Sequence, residues 1–151
     1  MTIIQDLYNI YDKEAEKYRL RRTSQGLLLA ELRRNLAFLR EGLREGLSHT
    51  AIIDGLEDEQ YRAVGKQGVR IGDLQKKRLA RGTYAGIREF ERYRDWDTGK
   101  LIDNAYERIA ILKKLARGSA QLELQPRLAT LFKFLMVLLA HLEGRALPIR
   151  R

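Results

Sequence analysis

The sequence predicts an all-α protein, a helical bundle, and three observations carry that prediction. Apolar residues return at three- and four-residue steps over long stretches, the spacing that lines up one face of a helix. No stretch alternates apolar and polar residues for long enough to form a strand. Glycine and proline gather where such helices would have to end. The 151 residues are the size of one domain, 1–151, with enough chain to bury a hydrophobic core. With no cysteine there is no disulfide framework, no thiol nucleophile and no cysteine zinc site.

The first predicted element is a long N-terminal helix over 2–47, or a collinear pair of helices. Ile4, Leu7, Tyr11, Ala15 and Tyr18 form one stripe, and Leu29, Leu32, Leu36, Leu39, Leu43 and Leu47 a stronger one. The two share a register, because positions 4, 11, 18, 25, 32 and 39 are seven apart, as are 22, 29, 36 and 43. Only Arg22 and Gln25 interrupt that seam, so a single rod of about 70 Å is favoured. A break would fall at Thr23–Gly26, with Thr23 or Ser24 as the second N-cap.

Eight of the twelve glycines lie between residues 42 and 86. Glycine is costly inside helices and common at their ends, so short helices and turns are predicted over 50–82. Ile52, Ile53, Leu56 and Val64 place one short helix over 50–65, and Ile71, Leu74 and Leu79 mark a second apolar face. Gly65, Gly68 and Gly72 do not form a phosphate loop, since no buried strand precedes them and no Lys-Ser/Thr pair follows.

Helical texture returns over 84–117. Asp97 or Thr98 caps a helix carrying Leu101, Ile102, Ala105, Ile109, Leu112 and Leu115. Lys113, Lys114 and Arg117 suit its last turn, and Gly118 stops it. A final helix over 126–143 opens with Pro126 and closes at Gly144. Every residue from 128 to 142 is apolar except Thr130, Lys133 and His141, which share one narrow stripe. A helix apolar around most of its circumference is a bundle centre or an assembly surface. Leu131, Leu135, Leu138 and Leu139 are its interface candidates. It is too short to span a bilayer, which takes about 20 apolar residues, and Glu123, Pro126 and Arg127 block extension upstream.

The N-terminus reaches Asp6 without a basic segment and apolar run, so a cytoplasmic location is expected. The net charge of +9 is unevenly spread, with +6 over residues 76–117 alone. Lys76, Lys77, Arg78 and Arg81 open that region; Arg88, Arg92 and Arg94 follow, interleaved with Tyr84, Phe90, Tyr93 and Trp96. Arginines neutralise phosphates and aromatic faces stack on unpaired bases, so residues 76–96 are a candidate surface for RNA or single-stranded DNA. The competing reading puts the aromatics in the core and leaves the arginines solvated.

Two histidines are present, His49 and His141. Arg44-Glu45-Gly46-Leu47-Ser48-His49 is an Arg-x4-His pattern, and it resembles the Arg-x4–6-His signature of HEPN ribonucleases. That resemblance implies an all-α dimer cutting RNA without a metal, Arg44 orienting the phosphodiester and His49 assisting proton transfer. His141, with no second ligand at helical spacing, reads as a buried or interfacial hydrogen-bonding residue. The acidic run Asp54, Glu57, Asp58 and Glu59 lacks the alternation of a calcium loop. No metal and no cofactor is expected, nor a nucleophile elbow.

The leading expectation is a non-enzymatic interaction or assembly module, self-associating as a homodimer or higher oligomer or binding another protein. A basic nucleic-acid-binding protein is the alternative, and the ribonuclease a third reading.

Overall fold

The computed structural model describes residues 3–68, 77–118 and 123–147, with side chains from Thr23 onward. Among them are five α-helices and no β-strand. Helix α1 runs unbroken from Ile3 to Arg44, about 63 Å at 1.5 Å per residue, so the collinear pair does not form. Thr23 and Ser24 are interior helical residues instead of caps, and Ser24 is buried. The helix stops short of the expected residue 47 because Gly46 adopts φ +73°, which lets the Leu47 N–H turn back onto the Gly42 carbonyl at 2.9 Å. Leu47, placed on the leucine stripe by spacing, is left exposed. Leu28, Leu32 and Leu39 are fully buried, with Leu29, Leu36 and Leu43 packed beside them.

The single helix expected over 50–65 is two. Helix α2 spans His49–Asp54, with Ser48 Oγ capping the Ala51 N–H, and helix α3 spans Glu59–Lys66. The chain breaks between them because α1 supplies partners for its backbone. The Asn35 side chain both accepts from Glu57 N–H and donates to the Glu57 carbonyl, each at 2.8 Å. Four residues earlier on α1, and so on the same face, the buried Glu31 carboxylate accepts from the backbone N–H groups of Gln60 and Tyr61. Gly55 passes directly under the Phe38 ring, where any Cβ would collide. Ile71 and Leu74, two of the three residues of the second apolar face, lie outside the described residues; Leu79 is buried.

Residues 84–117 are not helical throughout. Lys77–Leu79 lies against Asp95–Thr98, joined by Leu79 N–H to the Trp96 carbonyl at 2.9 Å and Asp95 N–H to the Leu79 carbonyl at 3.0 Å. A turn and a 3-10 helix, Arg88–Tyr93, fill the space between. Helix α4, Thr98–Gly118, then starts with Asp97 Oδ1 accepting from Lys100 N–H at 2.8 Å. Its inward face is Leu101, Ile102, Ala105, Tyr106, Ile109 and Leu112.

Helix α5, Gln125–Leu142, has Pro126 in its first turn and is closed by Gly144, whose φ of +67° lets Arg145 N–H reach the Ala140 carbonyl at 2.8 Å. It packs against both α1 and α4, while α2 packs on α1 and α4 and α3 on α1. Leu131, Leu135, Leu138 and Leu139, the sequence's interface candidates, are at most 3% exposed and are consumed by the chain's own core. An apolar circumference here makes a bundle centre. Beyond α5, Leu147 N–H bonds to the Thr83 carbonyl at 2.7 Å, tying the tail to the turn before the 3-10 helix. Among the described residues no helix is long and apolar enough to cross a membrane.

Candidate functional site

The aromatic residues of 84–96 resolve first. Tyr84, Phe90 and Tyr93 are buried and Trp96 half-buried, so they are core side chains and not an open stacking platform. Tyr84 meets Phe90 edge-on, and Tyr93 meets both Trp96 and Phe134 the same way. The short 3-10 helix turns its aromatics inward and thereby throws its charged residues outward.

Those charges divide into two groups. Glu91 lies 3.2 Å from Arg81 Nε and 3.8 Å from Arg94 and accepts the Tyr84 hydroxyl at 3.0 Å. Burial and that carboxylate together push the Tyr84 phenol above its ordinary range. Arg81 and Arg94 are thus committed to a carboxylate. Lys77 and Arg78 are exposed beside the Asp95–Thr98 segment, and Lys76 lies outside the described residues.

Arg88 and Arg92 point the other way. With Arg108 of α4 and Lys133 of α5 they line a cleft of about 650 Å³ whose floor is the Tyr93–Phe134 pair. Among the described residues neither Arg88 nor Arg92 has a carboxylate within ion-pair distance; Arg92 lies over the Tyr93 ring at 4.8 Å. Lys133 stands 3.5 Å from Glu89, the one acidic residue of the lining.

Arg108 is the most firmly held cation of the four. Its Nε donates to Asn104 Oδ1 at 2.7 Å, one Nη donates to the Tyr93 hydroxyl at 2.6 Å, and its guanidinium lies 4.5 Å over the Phe134 ring. Cation–π contact and neutral acceptors fix the group while leaving its charge without a carboxylate among the described residues. Such a guanidinium is poised for an external anion, with its remaining N–H donors unassigned. Thr130, whose hydroxyl donates to the Pro126 carbonyl at 2.8 Å, completes the wall.

Arg108, Thr130 and Lys133 were not among the sequence's site residues. Thr130 and Lys133 had left a signal, the narrow polar stripe on an otherwise apolar helix; Arg108 had left none, since only the packing of α4 beside α5 brings it to Arg88 and Arg92.

The Arg44–His49 pair sits elsewhere. The long helix ends between them, so His49 opens α2. Arg44 is exposed and engaged by Glu41 at 3.0 Å and Glu45 at 3.6 Å, which neutralise the charge a phosphate would need. His141 is fully buried on α5, its Nε2 2.7 Å from Thr98 Oγ1, itself 3.0 Å from the Lys77 carbonyl. Among the described residues no three His, Asp or Glu side chains converge to hold a metal.

No protein-family model matches the chain, and no curated protein or solved structure matches it.

Proposed function

We propose that this chain is an interaction module whose partner is a polyanion, bound in the cleft between the 3-10 helix, α4 and α5. The observation that carries the reading is the convergence of Arg88, Arg92, Arg108 and Lys133 from three separate elements on one cavity with a single carboxylate. Nucleic acid is the polyanion favoured, because planar guanidinium groups engage phosphate oxygens two at a time. The net charge of +9 adds long-range attraction for the same partner.

The test is a titration of labelled oligonucleotide at several salt concentrations. Wild type binds with a steep salt dependence. An Arg88→Gln/Arg92→Gln variant binds at least tenfold more weakly at low salt, and its slope of log K against log[salt] is shallower by about 1.5, two phosphate contacts having been removed. Arg81→Gln/Arg94→Gln, which touches only cations already held by Glu91, changes binding far less. Equal loss in the two variants would reduce the effect to net charge.

Self-association is a second reading, with a different observation behind it. Helix α1 is about 63 Å long and α5, its main packing partner, about 27 Å. No single helix of the bundle can cover the whole of α1, and the sequence carries a heptad register over residues 4–18 of that helix.

A further inference from the structure

The basic cleft does not end at Arg108. A second hollow of about 300 Å³ adjoins it, sharing Arg108 and Thr130 as a common wall, and its remaining lining is Ile111, Leu112, Pro126 and Arg127. The two differ in charge: the first holds Arg88, Arg92 and Lys133 with one carboxylate, Glu89, whereas the second adds a single further cation, Arg127, beside Ile111, Leu112 and Pro126. Ile111 is 44% exposed, one of few large apolar side chains so open among the described residues. Between them lies the Arg108 guanidinium, its Cζ 4.5 Å from the centre of the Phe134 ring.

We infer that the paired hollows are a binding site for single-stranded nucleic acid, with phosphates in the basic cleft and an unpaired base against Arg108 and Ile111. The assignment rests on the polyanion reading above and narrows it. A duplex turns its base faces into its own stack and presents phosphates and groove edges. Nothing on it matches an exposed apolar side chain, Ile111, set beside a basic cleft. An unpaired strand presents charge and an aromatic plane side by side, and guanidinium planes and apolar side chains are surfaces on which bases stack without regard to sequence. The buried rings of Tyr93 and Phe134 support Arg108 from beneath and do not themselves meet a base.

The experiment compares three labelled probes by fluorescence anisotropy with the full chain: a 12-nucleotide single strand (as RNA and as DNA), its duplex, and inorganic polyphosphate of similar charge. The single strand is expected to bind at least tenfold more tightly than the duplex. Ile111→Ser, a surface change that alters no charge, is expected to weaken single-strand binding about fivefold and leave polyphosphate binding as it was. Arg108→Lys, which keeps the charge and loses the plane, is expected to act in the same direction. Duplex binding as tight as the single strand, or an Ile111→Ser variant indistinguishable from wild type with every probe, overturns the single-strand assignment and leaves the polyanion reading standing. Failure of polyphosphate and both strands to bind at low salt overturns both.

Discussion

Protonating His141 would place a second N–H, on Nδ1, in a fully buried position where that atom has no partner among the described residues. Thr98 Oγ1 donates its only hydrogen to the Lys77 carbonyl, so His141 Nε2 must be the donor in the 2.7 Å contact and Nδ1 carries the lone pair. Burial, and then the nearby Lys77 ammonium, hold the imidazole below its ordinary value of 6.5. The unfolded chain takes up the proton near pH 6.5 and the folded chain only at lower pH. Stability is therefore complete above 6.5 and is lost as the pH falls below it. Urea midpoints measured from pH 7.5 to 5.0 should fall accordingly, and His141→Gln should flatten that profile. Glu31 is the residue-scale counterpart on α1. Its buried carboxylate gathers the Tyr106 hydroxyl at 2.7 Å along with the two N–H groups of α3, and burial with that carboxylate raises the Tyr106 phenol well above its usual range.

Among the elements, the long helices were legible and the short ones were not, for a physical reason. Helices α1, α4 and α5 are held by stripes of leucine and isoleucine, and a stripe is written in the spacing of its own residues. The break between α2 and α3 depends on Glu31 and Asn35, which from sequence are two ordinary polar residues of a helix. Nothing local marks them as partners for a backbone more than 20 residues away. The site divides likewise: Arg88 and Arg92 stood out by composition, while Arg108 and Lys133 join them only through tertiary packing. Two glycines, one inside α1 and one just past its end, show the same contrast between local rule and context. Gly26, in the helix interior, has nothing within 4 Å of where a Cβ would lie, so Gly26→Ala should raise stability by about 1 kcal/mol, some 3 °C in Tm. Gly46 has equal space but a φ of +73°, so Gly46→Ala should lower stability by about 1 kcal/mol. Thermal unfolding of the two variants side by side checks both signs.

At the scale of the molecule, the apolar surface of α5 that suggested an assembly protein is taken up by the chain's own core, and the self-association reading rests on the heptad register over residues 4–18 of α1. If self-association uses that stretch, sedimentation velocity over a hundredfold range of concentration should show a mass that rises with concentration, and Leu7→Lys/Tyr11→Lys should return it to that of one chain. Leu135→Glu should instead unfold the chain, because it would strand a charge among the side chains that Leu135 now meets with no exposure at all. The packing of α1 against α5 also sets a timetable. Leu28, Leu32 and Leu39 leave the ribosome long before α5, the main packing partner of α1, has been made. Chains interrupted before residue 125 would present α1 without that partner, so premature termination should send this protein to chaperones or into aggregates.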